Sequence, residues 1–215
     1  MNRPPQAVNE LASALLRKKT NRRMMVALVG APGSGKSRLA EFLKTAFRVQ
    51  GASAEILPMD GFHYDDSVLK ERGRLAYKGA PDTFDVAGLR SLLMRLKARE
   101  EDVAVPVFDR TLEISRAAAR VISAEVEVVI VEGNYLLSTQ PPWSELAACF
   151  DATLMLEVSE DILHQRLCER WRGYGLEETE VLRKVETNDL PNGHYVMQTL
   201  SLVDYRLDTS YQRVE

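Results

Sequence analysis

The strongest constraint on the fold is an eight-residue stretch at positions 30–37, Gly-Ala-Pro-Gly-Ser-Gly-Lys-Ser. It fits the pattern G-x-x-x-x-G-K-[ST] at every position. A continuous apolar run, Met24–Val29, precedes it, and a segment with helical periodicity, Lys36–Val49, follows it. In such a strand, loop and helix, glycines let backbone N–H groups wrap a phosphate, and the helix adds the positive end of its dipole. The stretch therefore predicts a site for the phosphates of a nucleotide.

Residues of this loop have distinct expected roles. Lys36 should reach the β- and γ-phosphates of a nucleoside triphosphate, and Ser37 should hold Mg²⁺. The alternative, a glycine-rich turn without a ligand, is disfavoured because both flanking elements are those that the motif requires. The residues expected to bind the nucleotide are Gly30, Ala31, Pro32, Gly33, Ser34, Gly35, Lys36, Ser37 and Arg38.

Short apolar runs alternate with helical segments along the rest of the chain. The predicted strands are residues 24–29, 54–59, 103–108, 126–131, 152–158 and 203–207, and the predicted helices are 8–18, 36–49, 85–99, 159–172 and 177–187. Residues 61–82 predict a long loop with one helical turn around residues 67–72. The pattern of residues 111–121 is ambiguous, although its alanines favour a helix. This alternation predicts an α/β fold with a doubly wound, mainly parallel sheet and helices on both faces. We expect one domain, 1–215, in which residues 1–23 form a docking helix and a solvated basic turn.

The composition excludes several classes of function. Lys and Arg number 28 against 31 Asp and Glu, for a formal net charge of -3, so general binding to nucleic acid is not expected. The sequence contains no run of about 18 apolar residues, the length that a membrane-spanning helix needs. The two cysteines, Cys149 and Cys168, are too few for a disulfide framework. We expect a soluble cytoplasmic protein without a nucleic-acid or membrane partner.

Acidic side chains follow three of the apolar runs, at Asp60, Asp109 and Glu132. Ligands of open parallel sheets bind beyond the carboxyl ends of the strands. A carboxylate there can take a proton from an attacking hydroxyl or hold the water shell of a metal. The alternative is an ordinary loop acid or helix cap. We favour a functional role for Asp60 and Glu132, whereas for Asp109 the two interpretations are balanced.

Four motifs occur in the order seen in a known superfamily. They are M-D-G-F-H at residues 59–63, K-G-A-P-D-T-F-D at 78–85, P-V-F-D-R at 106–110 and V-E-G-N-Y-L-L at 131–137. Over about residues 24–210 the chain resembles the P-loop kinase superfamily of uridine kinase, phosphoribulokinase and bacterial type I pantothenate kinase. Within it, the chain is most similar to bacterial proteins labelled nucleoside kinase-like or fructose transport system kinase, which share N-D-L-P-N at 188–192.

The resemblance implies ATP- and Mg²⁺-dependent transfer of the γ-phosphoryl group to a hydroxyl of a small metabolite, such as a sugar, a nucleoside or a pantothenate-like alcohol. It makes Asp60 the base and places Glu132, with Ser37, by the metal. It also implies a lid over about residues 166–180 that supplies Arg166 and Arg170 to the phosphates. A solvated helix surface is the alternative for both arginines. The implied substrate-binding residues are Asp60, His63, Lys78, Phe84, Asp109, Arg110 and Glu132, with a loop cap as an equal alternative for His63.

A second function remains open, a nucleotide-dependent switch or binding module that hydrolyses ATP or GTP and phosphorylates no acceptor. The sequence contains no N-K-x-D motif for reading guanine, and an acid follows its second strand. Both observations favour the kinase. The sequence identifies neither the acceptor nor the oligomeric state, for which a homodimer stays open.

Overall fold

Helices and strands alternate along residues 4–208, the part of the chain that the computed structural model describes. The helices are α1 (Gln6–Lys18), α2 (Lys36–Val49), α3 (Asp66–Glu71), α4 (Val86–Lys97), α5 (Glu160–Gly173), α6 (Glu178–Lys184) and α7 (Leu190–Thr199). The strands are β1 (Met24–Val29), β2 (Ala54–Pro58), β3 (Val103–Asp109), β4 (Ile114–Ile122), β5 (Val128–Gly133), β6 (Ala152–Leu156) and β7 (Tyr205–Leu207). Short 3₁₀ turns form at Met59–Phe62, Leu75–Tyr77, Pro81–Thr83 and Trp143–Cys149, and a π-helical turn, Val185–Asp189, joins α6 to α7.

Five strands form one parallel sheet in the order β2-β5-β1-β6-β7. Strand β1 is central and every residue in it is buried. Its alternate side chains enter two cores: Met25 packs in the core that contains α4, and Val26 packs in the core that contains α1 and α2. Helices therefore cover both faces, which confirms the predicted α/β fold with a mainly parallel sheet.

The helix predicted for residues 111–121 is wrong. Strand β4 occupies most of that segment and pairs with β3 as a separate antiparallel hairpin. Ala118 even has a positive φ of 50°, which no α-helix accommodates. Pairing with β3 overrides the helical preference of the alanines, because strand formation depends on the partner strand more than on intrinsic propensity.

The basic segment before β1 is also different from the prediction. The Arg23 side chain is buried, with 1% of the residue exposed. Its guanidinium donates hydrogen bonds to the backbone carbonyls of Val126 (2.8 Å), Leu96 (2.8 Å) and Ser123 (2.6 Å). Arg23 therefore ties β1 to α4 and to the segment before β5, and only its neighbours are solvated. Residues 1–3 of the expected docking segment and residues 209–215 of the expected domain lie outside the described residues.

Replacing Arg23 by Met is expected to lower the free energy of unfolding by about 2–4 kcal/mol, because three carbonyl groups lose a charged donor. The matched variant Arg22→Met changes an exposed neighbour and should stay within about 0.5 kcal/mol of the wild type. Urea unfolding of both variants, followed by circular dichroism, measures the difference. Equal midpoints would show that the three hydrogen bonds of Arg23 do not stabilise the fold.

In the described part of the chain, no helix is both long and apolar enough to cross a membrane.

Candidate active site

The loop of residues 30–37 leaves the carboxyl end of β1 and leads directly into α2. Gly33 and Gly35 have positive φ angles of 78° and 97°, which glycine adopts without strain. Gly35 is the N-cap of α2, and no side chain caps the first N–H groups of that helix. These N–H groups have no acceptor within the helix, so the loop offers donors and a positive helix end to an anion. The geometry fits the phosphates of a nucleotide.

The ammonium group of Lys36 lies inside the curve of this loop. Its Nζ donates to the carbonyl oxygens of Gly30 (3.0 Å) and Ala31 (3.0 Å). Burial lowers the pKa of Lys36 to about 8, although the charges of Glu132 and Asp60 act in the opposite direction. A phosphate in the loop would place negative charge beside the ammonium group and so favour its protonated form. This lysine is therefore suited to an anionic ligand.

A hydroxyl and a carboxylate meet beside the loop. Ser37 Oγ donates to Glu132 Oε1 at 2.9 Å, and Glu132 lies near the end of β5, the neighbour of β1 in the sheet. Burial raises the pKa of the Glu132 carboxyl. Hydroxyl and carboxylate oxygens are the ligands that Mg²⁺ takes from proteins, which leave its other positions to water and phosphate. This donor set fits a magnesium ion bound together with a nucleotide.

Asp60 lies in the 3₁₀ turn that follows β2. Its Oδ2 accepts a hydrogen bond from Arg110 Nη2 at 2.5 Å, so the hairpin β3–β4 brings a cation to the carboxylate. The turn packs closely on that hairpin, because a Cβ on Gly61 would lie 2.8 Å from the Pro106 carbonyl oxygen. The strand before Arg110 was expected in the main sheet, but it belongs to the separate hairpin. The predicted substrate-binding role of Arg110 stays a prediction.

An aromatic group forms one wall of the site. The His63 ring lies between Phe84, with 4.0 Å between ring centroids, and Phe108, at 4.9 Å. Its Nδ1 donates to the Asp60 carbonyl oxygen at 2.8 Å. Burial lowers the pKa of His63, which favours the neutral ring, and Nε2 is then a hydrogen-bond acceptor. His63 both holds the turn and presents an acceptor atom.

Lys78 and Asp109 have different surroundings. Lys78 Nζ donates to Asp66 Oδ1 (2.7 Å) and to the Glu113 carbonyl oxygen (2.6 Å), and it lines the same cavity as Asp60. The Asp109 carboxylate instead accepts from the backbone N–H groups of Thr111 and Leu112 in the hairpin turn. The geometry of Asp109 is that of a turn cap, and the argument from a parallel strand end does not apply to it.

The two arginines predicted on one face of α5 reach the loop in different ways. Arg166 Nη1 donates to the Ser34 carbonyl oxygen at 3.2 Å and lies 3.5 Å from that of Gly33. Arg170 is exposed and lines the cavity beside Lys36. Within residues 4–208, Arg170 forms no ion pair with a carboxylate. Arg166 therefore supports the backbone of the loop, whereas Arg170 faces the space in front of it.

Most of the predicted site residues line one cavity of about 710 Å³. Those that line it are Pro32, Gly33, Gly35, Lys36, Ser37, Arg38, Asp60, His63, Lys78, Phe84, Arg110, Glu132 and Arg170. Gly30, Ser34, Asp109 and Arg166 are not among its lining residues, and Ala31 contributes instead to a neighbouring cavity.

The neighbouring cavity lies on the other side of Ala31 and Pro32 and measures about 450 Å³. Its walls are mostly apolar and come from the end of β6, from α5 and from α7. Gly193 of α7 approaches the loop so closely that an added Cβ would lie 3.3 Å from the Ala31 Cβ. We call the cavity of about 710 Å³ the polar cavity and the one of about 450 Å³ the apolar cavity. The two adjoin each other at the loop.

Sequence reasoning missed several residues of the polar cavity. Phe108 and Asn134 lie within the motifs quoted above, so their positions there were a usable signal. Asp189 likewise lies within the N-D-L-P-N stretch, whereas Trp171 lies in none of the quoted motifs. Trp171 Nε1 donates to Oδ2 of Asp189, the last residue of the π-helical turn, at 2.6 Å. Asn188, in the same turn, donates to the Lys78 carbonyl oxygen at 3.1 Å and so connects this region to the loop that carries Lys78.

Comparison with known proteins places this site in a family. No protein-family model matches the chain. A Schizosaccharomyces pombe protein provisionally named a uridine kinase is 33% identical over 197 residues, which cover 86% of this chain and 83% of that protein. A pantothenate kinase of Listeria monocytogenes is 31% identical over 161 residues, 73% of this chain and 52% of the relative.

The solved structure of a Silicibacter protein, provisionally described as a fructose transport system kinase, is 40% identical to this chain. The two structures superpose with a TM-score of 0.89, and the match covers 93% of this chain and 98% of that one. The chain therefore belongs to the superfamily of P-loop kinases that contains uridine kinase and pantothenate kinase, and it is a small-molecule kinase.

Proposed function

We propose that this kinase transfers the γ-phosphoryl group of ATP, with Mg²⁺, to a hydroxyl group of a small polar metabolite such as a sugar or a nucleoside-like alcohol. The observation that carries the proposal is the polar cavity, in which the loop lysine, a hydroxyl–carboxylate pair and a second carboxylate converge. Phosphoryl transfer depends mainly on positioning and on stabilisation of charge. The cavity offers groups for both.

Each group has a role in this proposal. The loop N–H groups and Lys36 bind the β- and γ-phosphates, and Ser37 and Glu132 hold the metal. When bound at Ser37 and Glu132, Mg²⁺ would supply positive charge that offsets the charge developing on the phosphates. Asp60 accepts the proton of the acceptor hydroxyl, and Arg110, 2.5 Å from its Oδ2, holds the carboxylate in position.

The apolar cavity supplies a place for the nucleoside part of ATP. It adjoins the loop at Ala31 and Pro32, so a nucleotide with its phosphates in the loop can extend its base into it. The acceptor would lie on the opposite side, against the rings of His63 and Phe108. We further propose that residues 166–180 close over the phosphates as a lid, since Tyr174 and Gly175 between α5 and α6 are exposed.

A screen for ADP release tests the proposed activity. The panel should include fructose and other sugars, uridine and other nucleosides, pantothenate and polyols, because these include the substrates named for the related proteins. At least one acceptor should raise ADP release well above the basal hydrolysis of ATP, with a phosphorylated product detectable by mass spectrometry. If none does so, the nucleotide-dependent switch becomes the better description.

Replacing Arg170 by Ala is expected to lower kcat by roughly tenfold to a thousandfold with little change in ATP affinity, because this guanidinium acts on charge that develops during transfer. Lys should restore only part of the rate, since it lacks the planar fork of arginine. Arg166→Ala should also weaken ATP binding, because Arg166 holds the loop backbone. Steady-state kinetics and calorimetric ATP titration separate the two effects.

Arg183→Ala is the matched control on the neighbouring helix, because Arg183 is exposed, pairs with Glu180 at 2.5 Å and does not line the cavity. It should retain the wild-type kcat. Wild-type kinetics in both Arg166→Ala and Arg170→Ala would assign these arginines to a solvated helix surface.

A further inference from the structure

A second charged cavity lies at the opposite end of the parallel sheet from the loop of residues 30–37. It surrounds Met24, the first residue of β1, and measures about 1160 Å³. Its walls are formed by residues 18–24, by Arg90, Met94 and Lys97 of α4 with the two residues after that helix, and by residues from the segment 145–151. We call this cavity the basic cleft. The proposed kinase reaction uses none of its residues.

The lining of the basic cleft is strongly cationic. Seven of its sixteen lining residues are Lys or Arg and two are Asp or Glu, although the whole chain has a formal net charge of -3. Four of the seven cations have a carboxylate at 3.0 to 3.9 Å. The other three, Arg22, Arg23 and Arg99, form no ion pair with any residue in the range 4–208. The guanidinium of Arg23 is buried and donates to backbone carbonyls, so among the described residues Arg22 and Arg99 are the exposed cations of the cleft without an ion pair.

The positive charges of Arg23 and Arg99 repel each other. The pKa of Arg23 is lowered by burial and, in addition, by the positive charge of Arg99. Like charges held this near to each other destabilise the folded chain. Arg23 is buried and its guanidinium donates to three backbone carbonyls, so an anion would contact Arg99 at the rim. Its negative charge would there offset the repulsion between the two guanidinium groups.

The backbone at Arg99 supports the same conclusion. Arg99 follows the end of α4 with a φ of 58°, a left-handed conformation that glycine usually provides after a helix. A residue with a side chain is less stable than glycine in such a position. The chain thus places an exposed cation at the rim of the cleft where glycine would be the more stable choice.

The shape of the basic cleft indicates the size of the ligand. The cleft is concave and several times larger than one phosphate group, and it includes apolar side chains such as Met94, which is 53% exposed. A membrane surface or a nucleic acid would need a broad basic face, whereas this chain is acidic overall. We propose that the basic cleft binds a small anion that carries two or more phosphate groups, at a site separate from that of ATP.

Equilibrium dialysis with inorganic tripolyphosphate tests the proposal. The protein is first saturated with a non-hydrolysable ATP analogue, and free Mg²⁺ is held constant, so that the loop of residues 30–37 is occupied. Wild-type protein should bind one further tripolyphosphate per chain. The affinity should fall as NaCl is raised, because salt screens exposed charges.

The double variant Arg22→Ala/Arg99→Gly should lower this affinity at least about tenfold, since each lost contact is a charge-assisted one. Its thermal stability should be no lower than that of the wild type, because glycine suits the backbone at position 99. Affinity for the ATP analogue should not change. Arg48→Ala, an exposed arginine in the last turn of α2, is the matched control and should bind tripolyphosphate within about twofold of the wild type.

Two results would overturn the proposal. One is no further binding of tripolyphosphate to the wild type at millimolar concentration. The other is equal affinity in the wild type and the double variant. Tripolyphosphate could also fail to bind while the wild type binds vesicles with anionic lipid, or single-stranded RNA, and the double variant does not. The cleft would then be a surface for a macromolecule, which contradicts a small-molecule ligand.

Discussion

Replacing Asp60 by Asn is expected to lower acceptor phosphorylation by roughly a hundredfold to ten-thousandfold, the usual range for loss of a general base, while ATP affinity stays nearly unchanged. The amide has almost the shape of the carboxylate, so the turn after β2 and its packing on the hairpin should persist. It cannot take the proton of the acceptor hydroxyl, however, and its weaker attraction for Arg110 removes the ion pair at 2.5 Å. ATP binding should therefore be retained, whereas transfer of the phosphoryl group to the acceptor should be lost.

The measurement that separates a kinase from a switch is ADP release with and without the best acceptor, for the wild type and for Asp60→Asn. A kinase loses the increase that the acceptor causes, whereas a switch shows no such increase and is little changed by Asn. Asp161→Asn, an exposed acid in the first turn of α5, is the control and should behave like the wild type. An Asp60→Asn protein with wild-type acceptor phosphorylation would remove Asp60 from the role of base.

The variant Lys36→Ala is expected to lower kcat/KM by on the order of a hundredfold to a thousandfold, comparable with the loss of another charge-stabilising donor. The fold should remain intact. Burial lowers the pKa of Lys36 to about 8, and a group whose folded-state pKa lies below its unfolded value destabilises the fold in its protonated form. At pH 7, removal of this buried ammonium group should therefore not weaken the fold through loss of charge.

Calorimetric titration with ATP, ADP release and thermal unfolding together test this expectation. Lys44→Ala is the matched control on the same helix, since Lys44 pairs with Glu55 at 2.8 Å outside the site. It should leave ATP binding unchanged. A folded Lys36→Ala protein with undiminished turnover would show that the loop of residues 30–37 does not bind the reacting phosphates.

Much of the site was predictable because its residues follow local rules. The loop of residues 30–37 has a fixed motif, and Asp60 and Glu132 directly follow apolar runs of the sequence that form strands of the parallel sheet. The order of strands in a parallel sheet brings their carboxyl ends to one edge, so the convergence of these side chains did not require knowledge of the packing. Short-range patterns were sufficient here.

The remaining part depends on contacts between distant segments. The Arg110–Asp60 ion pair spans fifty residues, and it exists because β3 pairs with β4 rather than with the main sheet. The alanines of β4 carry no sign of that pairing. The π-helical turn that brings Asp189 to Trp171 likewise depends on an extra residue within a helical segment, which apolar periodicity does not reveal.

The burial of β1 has a consequence for how the proposed site opens. Every residue of β1 and β5 is buried, so the backbone amides of these strands exchange with solvent only when the whole core unfolds. Residues 172–175, at the end of α5 and just after it, are exposed and can exchange through a local opening of small free energy. Glu132, proposed to hold the metal, thus belongs to the most protected unit of the chain, whereas Arg170, proposed to act on the phosphates, lies next to a segment that can open without disturbing that unit.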